Sequence, residues 1–370
     1  MIRVCKPDIK YRGRFTSGGQ LPDRELVILE LSNGQVSGFG EFYPTSLNAK
    51  TDFHGWSNLD EWILLVEACD RLIGQDARSL RTLVPAAWEG YDGSGLVDAL
   101  EFALYDLVGK IYNLPAYTML GGLRKKYVWG MPVIYTASVE EMVEQARSRF
   151  AEYGYRFFKL KPSGILDHDR EVISRIRETT DPGVSIYIDP NYGLEMTPSE
   201  VIEYLNDLHR VGLEVCEDPV RGNLETYRSI QECTPVRLML DQSARTLGDV
   251  LDIVNARCCQ QINIHANWTS GFNGALRLAN LAAVGGIECL IGSTIYLGIG
   301  NAACEILSGV LPGNCPCEQI TAANYVCNAV VKEEFPTEDG KIYFPDKPGL
   351  GVEVDDERLE EATVRTVVLP

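Results

Sequence analysis

The chain has 370 residues, of which 45% are hydrophobic and 23% charged, and its formal net charge is −18. This length predicts two domains or one large barrel with additions, and the ordinary composition excludes an intrinsically disordered chain. The strongly negative charge argues against nucleic acid and anionic membranes as partners, although a small anionic substrate responds only to its local site.

The sequence also indicates the compartment. No run of 18 or more apolar residues occurs, and the polar N-terminus lacks the apolar core of a signal peptide. The 11 cysteines are scattered, and several fall inside apolar runs, where thiols behave as small hydrophobic groups. We therefore expect reduced cysteines, no structural metal bound by them, and a cytoplasmic location.

In chain order, the first 60 residues indicate strands and turns. RELVILELSNGQVSGFGEF contains two apolar-rich runs separated by Asn33-Gly34, which is the pattern of a β-hairpin. Residues 59–123 change to helical periodicity, and Pro115 restarts this region as a second, shorter helix. Strands followed by helices predict an α+β domain over residues 1–125.

From residue 126 onward, predicted strands and helices alternate. WGMPVIYTA predicts a strand, and the following segment predicts a helix with Ser138 as its N-cap and Glu141 three residues later. Five further strands, each followed by an amphipathic helix, and a seventh strand, IECLIGS, fit a closed barrel better than an open sheet. This α/β pattern predicts a barrel over residues 126–334, and residues 335–370 return to a β-like pattern that rejoins the first domain.

Charged residues end five successive predicted strands at nearly constant spacing. Lys161, Asp189, Glu217, Asp241 and His265 follow one another at intervals of 28, 28, 24 and 24 residues. Such an interval fits a strand, a helix and two loops, because parallel neighbouring strands need a crossover connection. The five side chains are therefore expected to converge at the carboxyl end of the barrel, where catalytic residues lie.

Three of these residues are carboxylates suited to a divalent cation. Asp189, Glu217 and Asp241 offer hard oxygen ligands for Mg²⁺, with Mn²⁺ as the alternative metal, and without a cation they would repel one another. The alternative for each residue is a helix N-cap or a surface ion pair. Three carboxylates in register disfavour that interpretation, and we expect a metal site.

Two lysines and a histidine are candidate acid–base groups. Lys159 and Lys161 alternate with Leu160 and so point to one face of their strand. Next to a dication inside the barrel the neutral form of a lysine is favoured, and a neutral lysine is a usable general base. The alternative, two surface lysines at a strand edge, is disfavoured by the flanking apolar residues. His265 lies opposite Lys161 in ring order and suits acid–base catalysis, with a supporting core position as its alternative.

Weaker signals concern substrate contacts. The segment 298–303, GIGNAA, does not match a nucleotide-binding loop, but the helix that it opens offers its N-terminus to a substrate carboxylate. His54, in DFHGWSN, is a candidate for a loop that covers the substrate. We further expect Asn191, Ser293 and Tyr296 to contact the substrate.

Several motifs together resemble the enolase superfamily, in its muconate-lactonizing and mandelate-racemase-like branch, over nearly the whole chain. GFGEFYP (38–44) resembles the capping-domain motif, and FKLK resembles the Lys-x-Lys strand. DPN (189–191), CEDP (216–219) and LDQS (240–243) resemble the three metal-ligand strands, and PDKPGLGVEVD (345–355) resembles the closing segment. The resemblance implies a modified TIM barrel, (β/α)7β, with an α+β capping domain built from the N-terminal segment and the C-terminal tail.

The same resemblance implies a first chemical step shared by the family. A Mg²⁺ ion held by the three carboxylates binds a substrate carboxylate, and Lys161 removes the α-proton to give a metal-stabilised enediolate. Lys159 is implied to help hold the substrate carboxylate and to lower the pKa of Lys161. The loop 14–23 and the segment around His54 are implied to close over the site.

Three features depart from the family pattern. His265 replaces the lysine that lactonizing-type members carry on the sixth strand, and the seventh strand ends in Gly292-Ser293 in place of the racemase-type histidine. Gln242 follows the third carboxylate where a glutamate is usual, which leaves the site one negative charge short. The Asp-x-Asp pair of dipeptide epimerases has no counterpart near the eighth strand, where Cys315-Pro-Cys317 stands.

These residues predict a Mg²⁺-dependent enzyme, and a homo-oligomer, that acts on a small-molecule carboxylate. Lys161 and His265 on opposite sides predict 1,1-proton transfer, hence a racemase, an epimerase or a related isomerase of an amino-acid-like or hydroxy acid. With His265 as an acid, the same enediolate would lose a β-hydroxyl, and the enzyme would be a dehydratase. A barrel that binds carboxylate and metal without catalysis is the alternative of another class. The Lys-to-His and Glu-to-Gln changes prompt it, and the intact lysines and carboxylates weigh against it.

Overall fold

The computed structural model describes residues 1–8, 26–42, 69–80, 82–83, 95–269, 271–320 and 326–369. Within these ranges the strands form two sheets, one of four strands and one of eleven. In the same ranges, no helix is both long and apolar enough to cross a membrane.

The four-stranded sheet, called the cap sheet below, joins distant parts of the chain. Its strands are β1 (Ile2–Pro7), β2 (Val27–Ser32), β3 (Ser37–Phe42) and β15 (Thr363–Leu369), antiparallel in the order β15-β1-β2-β3. The predicted hairpin is confirmed, and Asn33 Oδ1 holds its turn by accepting hydrogen bonds from the amides of Gln35 and Val36 at 2.9 and 3.0 Å. The predicted return of the C-terminal tail takes the form of β15 pairing with β1.

Helix α1 (Gly95–Tyr112) packs directly on the cap sheet, and the short helix α2 (Ala116–Met119) follows Pro115. The backbones approach closely because Gly38 and Gly40 on β3 carry no side chain. A Cβ atom on Gly40 would lie 1.8 Å from the carbonyl oxygen of Ala99 in α1. Sheet and helix together form the α+β capping domain.

The eleven-stranded sheet contains a closed barrel of eight strands, counted within the described residues. Pro132 splits the first barrel strand into β4 (Tyr127–Met131), which pairs with the last strand, and β5 (Val133–Ile134), which pairs with the second. One segment therefore closes the ring. The other seven strands, parallel to it and in ring order, are β6 (Phe157–Leu160), β7 (Ser185–Ile188), β8 (Leu213–Glu217), β9 (Arg237–Leu240), β10 (Gln261–Ile264), β11 (Glu288–Ile291) and β12 (Cys317–Glu318).

Helical connections link successive barrel strands. They are α3 (Val139–Tyr153), α4 (Leu166–Thr179), α5 (Pro198–Arg210), α6 (Leu224–Glu232), α7 (Leu247–Ala256), the pair α8 (Ala266–Thr269) and α9 (Gly271–Val284), and α10 (Ile299–Val310). The predicted capping box of Ser138 and Glu141 starts α3, so this helix begins where its local sequence satisfies the first free amides. After the barrel, β13 (Thr337–Glu338) and β14 (Lys341–Tyr343) form a hairpin on β4, and α11 (Asp356–Ala362) leads into β15.

This architecture confirms the predicted fold class, a (β/α)7β modified TIM barrel with an α+β capping domain to which both the N-terminal segment and the C-terminal tail contribute. The hairpin β13–β14 belongs to the predicted tail, yet it extends the barrel sheet. The domain limits at residues 125 and 334 stay predictions.

Candidate active site

The predicted metal ligands point into the barrel at its carboxyl end. Tyr187, Val215 and Met239 belong to one buried cluster across neighbouring strands, and each stands two residues before a predicted ligand. Because side chains alternate along a strand, the three carboxylates lie on the same interior side, one layer nearer the strand ends. The constant spacing in the sequence therefore corresponds to one shared site.

Lys159 occupies the centre of this site. Its Nζ lies 2.7 Å from Glu217, 3.1 Å from Asp189 and 3.3 Å from Glu318, and only 2% of its side chain is exposed. Burial lowers the pKa of Lys159, but the surrounding carboxylates outweigh burial and raise the pKa well above its ordinary value. Without a dication, the carboxylates therefore favour the charged form of Lys159, and the neutral form that we expected for a lysine beside a bound dication stays a prediction. A buried, charged ammonium is suited to binding an anion and unsuited to removing a proton.

Lys161 lies at the edge of the same group and is more accessible, with 13% of its side chain exposed. Its Nζ is 2.5 Å from Asp189 Oδ2 and 2.6 Å from Asn191 Oδ1. Asn191 has a φ of +50° and also donates its backbone amide to Asp189 Oδ1 at 2.9 Å. Asn191, predicted to contact the substrate, thus contacts the predicted base, and its left-handed backbone directs it there.

Glu318, at the end of the eighth barrel strand, is a site residue that the sequence analysis missed. One of its oxygens faces Lys159, and the other accepts a hydrogen bond from the Ser293 amide at 3.0 Å. Ser293, a predicted substrate contact, therefore borders the site through its backbone, while its hydroxyl donates to the carbonyl of Thr294. Asn263 on β10 is a second missed residue, because its Nδ2 donates to Glu217 Oε1 at 3.0 Å.

Asp241 differs from the other two predicted ligands because, among the described residues, no lysine forms an ion pair with it and Lys159 attracts it only from a distance. Within the described residues, no group donates a hydrogen bond to its Oδ1. Burial, together with repulsion from Glu217 and Asp218, raises the pKa of Asp241 well above its ordinary value. Asp218 fixes the loop that follows, since it accepts hydrogen bonds from the amides of Asp241 and Gln242 at 3.3 and 3.0 Å.

His265 faces the site from β10, on the side of the barrel opposite β6. Its Nε2 lies 3.6 Å from Asp241 Oδ1, and 12% of its side chain is exposed. Burial lowers the pKa of His265 to about 3, and the positive charge of Lys159 acts in the same direction. The imidazole is therefore neutral, as a proton acceptor must be, and its lowered pKa makes it a weaker base than an ordinary histidine.

The residues fit the divalent cation that the sequence predicts, although their side chains are arranged around ammonium groups. As placed, no three acidic, histidine or cysteine groups in the described ranges are set to hold a metal ion. Burial alone raises the pKa of Asp189, but Lys159 and Lys161 lower it below its ordinary value, and so replace a cation there. Burial and Asp189 raise the pKa of Glu217 despite the nearby Lys159, so one ammonium does not compensate all the carboxylates. An oxygen-only donor set on adjacent strands, with negative charge that the lysines compensate only in part, suits Mg²⁺.

The remaining predicted contacts have different outcomes. The ring of Tyr296 packs against Gly300 in the first turn of α10, where Tyr296 is 2% exposed, and its role as a substrate contact stays a prediction. His54 and the loop 14–23 lie outside the described residues. The expectation that the α10 N-terminus receives a substrate carboxylate is wrong. The carboxylate of Glu41, from the cap sheet, already accepts hydrogen bonds there from the amides of Leu297 and Gly300 at 2.5 and 2.9 Å.

Comparison with known proteins agrees with this geometry. The family model described as enolase C-terminal domain-like matches residues 141–358. An L-Ala-D/L-Glu epimerase of Clostridium acetobutylicum is 30% identical over 271 residues, which are 69% of this chain and 71% of that protein. A chloromuconate cycloisomerase of Pseudomonas putida is 25% identical over 358 residues, 92% of each chain.

Among solved structures, that of N-succinyl Arg/Lys racemase from Bacillus cereus matches with a TM-score of 0.88 at 23% identity, covering 100% of this chain and 99% of that one. This likeness extends the shared fold over the capping domain as well as the barrel. The chain therefore belongs to the enolase superfamily, in its muconate-lactonizing and mandelate-racemase-like branch, and is an enzyme of the isomerase or lyase type.

Proposed function

We propose that this enzyme moves the α-proton of a small carboxylate substrate from one face to the other, as a racemase, an epimerase or a related isomerase of an amino-acid-like or hydroxy acid. The observation that carries the proposal is the position of Lys161 after the second barrel strand and of His265 after the sixth, half a turn of the eight-stranded ring apart. Two acid–base groups on opposite sides can address the two faces of one carbon atom. The relatives named above include an epimerase, a cycloisomerase and a racemase, which supports this class of reaction.

The two groups are suited to complementary parts of one turnover. His265 enters as a neutral imidazole and takes the α-proton on its side of the substrate. Lys161 enters as an ammonium, paired with Asp189, and donates a proton to the same carbon from the other side. In the reverse direction, Lys161 takes the proton and His265 returns one, so that the C–H bonds broken and formed are equal in number.

The other residues hold the substrate and stabilise charge. Asp189, Glu217 and Asp241 would bind Mg²⁺, which members of the superfamily generally use. The bound ion would supply positive charge for the enediolate that forms when the α-proton leaves. Lys159, buried and charged, offers its ammonium to the substrate carboxylate. Glu318 and Asn263 keep Lys159 and Glu217 in position.

Exchange with solvent deuterium tests the proposal. Separate enantiomers of amino, N-acylamino and hydroxy acids are incubated in D₂O with the enzyme and Mg²⁺, and α-deuteration is followed by NMR. We expect at least one acid to exchange. K161A and H265A should each lose exchange mainly from one enantiomer, because each residue serves one face. Absence of exchange from every acid would instead support the carboxylate-binding barrel without catalysis.

A dehydratase that acts through the same enediolate is distinguished from a racemase by its product and by its exchange pattern. A dehydratase would exchange one stereoisomer only, would depend on Lys161 for exchange and on His265 for loss of the β-hydroxyl, and would release a 2-keto acid after tautomerisation. If Lys161 and His265 both support exchange, each on a different enantiomer, that result excludes a dehydratase.

A further inference from the structure

The end of the seventh barrel strand lies directly beside His265. Gly292 follows β11 and donates its backbone amide to the carbonyl of Ile264 at 3.1 Å, so it stands next to His265 across the ladder between β10 and β11. Leu290, two residues earlier, belongs to the buried interior cluster. Any side chain at position 292 would therefore point into the barrel, toward the site.

The imidazole occupies the volume that such a side chain would take. A Cβ atom on Gly292 would lie 2.3 Å from His265 Nε2 and 2.5 Å from His265 Cε1. The same atom would lie 2.5 Å from Asn263 Oδ1. Carbon atoms in proteins pack at about 3.5–4.0 Å from their neighbours, so even a methyl group would displace the ring by about 1 Å.

The two neighbours of Gly292 differ in their freedom to move, and only His265 can be displaced without breaking the hydrogen bond between Asn263 and Glu217. Asn263 is tied to Glu217 by the hydrogen bond from its Nδ2, and it is 1% exposed. The ring of His265 has Gly292 on one side and Asp241 Oδ1, 3.6 Å from Nε2, on the other. A displaced imidazole would have to move toward Asp241 or out of the barrel mouth.

We propose that Gly292 is a positioning residue for His265, and that the missing side chain at the seventh strand is what allows a histidine on the sixth strand to reach one face of the substrate. This inference rests on the proposed function, because it assigns to Gly292 control over one of the two opposed acid–base groups. Lys161, on the other side of the ring, is independent of it. Gly292 acts only through His265 and touches no substrate.

Deuterium exchange from separate enantiomers tests this role. G292A should slow exchange of the His265-dependent enantiomer by about 100-fold, the effect of misplacing a catalytic group by about 1 Å, and leave the Lys161-dependent enantiomer nearly unchanged. In an H265A background the same substitution should have no further effect. Equal slowing of both enantiomers, or an effect that adds to that of H265A, would overturn the proposal.

G285A is the matched control. A Cβ atom on Gly285 would lie 2.5 Å from Val254 Cγ2, a comparable overlap with a side chain, but in the turn between α9 and β11, at the opposite end of the strand from the site. G285A should keep exchange from both enantiomers. Thermal unfolding of all variants separates loss of folding from loss of position. The H265A/G292A double variant should regain part of the stability that G292A loses, because the overlap with His265 is gone while the overlap with Asn263 Oδ1 remains.

An NMR measurement tests the position without activity. The chain has 4 histidines, so the Cε1–H signal of His265 can be assigned by its loss in H265A. At fixed pH this signal should shift in G292A and stay in place in G285A. An unshifted signal in folded G292A would overturn the proposal even if exchange is slowed. If the wild type exchanges no acid, the proposed function fails, while the NMR result still decides the role of Gly292.

Discussion

Two groups of buried carboxylates in the described part of this enzyme have different partners. Where the capping domain meets the barrel, Glu41 accepts hydrogen bonds from two amides at the start of α10, and Glu101 accepts one from the amide of Asn273 in α9. At the barrel mouth, Asp189 and Glu217 face lysine ammonium groups, and no described residue donates a hydrogen bond to Oδ1 of Asp241.

This difference separates structural acids from acids that remain available to a ligand. A backbone amide is fixed by its helix, so a carboxylate that it satisfies stays where it is. A lysine ammonium ends a long flexible side chain, so it can withdraw from a carboxylate when a cation enters, and it can pair instead with the carboxylate of a substrate. Groups at the mouth should therefore control chemistry and metal binding, whereas those at the junction should control stability.

Removal of Lys161 is expected to give the largest effect. K161A should lower exchange of its enantiomer by about 100- to 10,000-fold, the usual contribution of a general acid or base. Its unfolding midpoint should change little, since Lys161 lies at the edge of the site. K332A removes a surface ammonium paired with Glu353, and it serves as the control for both the exchange rate and the unfolding midpoint. An unfolded K161A, or one with full exchange, would contradict the distinction between the two regions.

Substitution of Asp241 should affect the response to metal. Added Mg²⁺ at about 100 times its dissociation constant should stabilise the wild type by about 2.7 kcal/mol, and D241N should gain much less because one ligand is lost. Without metal, D241N should be at least as stable as the wild type, since burial opposes the charge of Asp241. Differential scanning calorimetry with and without Mg²⁺ measures both, with D252N on the exposed face of α7 as the control. Equal gains in D241N and the wild type would remove Asp241 from the metal site.

Truncation of Glu41 should lower the stability of the protein and leave its exchange activity largely intact, the opposite of K161A. E41A leaves the amides of Leu297 and Gly300 buried without their acceptor, which should cost about 1–3 kcal/mol of unfolding free energy. Denaturant unfolding measures this loss. Exchange by the folded protein should fall far less than in K161A, and its abolition in a stable E41A would show that the junction takes part in the chemistry.

The smallest expected effect is a pH dependence from the same residue. Burial raises the pKa of Glu41 to about 7 from 4.5, against the opposing effect of the α10 amides. A raised folded-state pKa means that Glu41 contributes its full stability below about pH 4.5 and loses it as pH rises through 7. E41Q cannot titrate, so its stability relative to the wild type should increase between pH 5 and 8. A constant difference over this range would exclude titration of Glu41.

The sequence predicted the fold and which residues meet at the barrel mouth in most cases, because both follow from the regular spacing of the strands. Each of these residues ends or directly follows a strand of four or five residues, which is long enough to show as an apolar run. They are Lys161, Asp189, Glu217 and Asp241. Glu318 was missed because its strand has only two residues, Cys317 and Glu318, preceded by Pro316.

The partners across the fold could not be predicted in the same way. Glu41 lies in a motif that the sequence analysis recognised, yet its amide donors are more than 250 residues away and contain no side-chain signal. The importance of Gly292 depends on a volume that His265 fills from the neighbouring strand. A sequence pattern shows the periodicity of strands and helices. The contacts of Glu41 and Gly292 depend instead on which elements become neighbours in the fold.

The pairing of β15 with β1 has a consequence for the order in which the protein is made. Ile2 pairs with Leu369, so β1 receives this neighbour only after all the barrel strands have been synthesised. Until then one edge of β1 has unpaired backbone groups, and an open edge is a site for unwanted pairing between chains. Contacts this distant in sequence also slow folding. During synthesis, the barrel strands can pair with one another before β15 exists, and the cap sheet gains its fourth strand only after the barrel strands have been made.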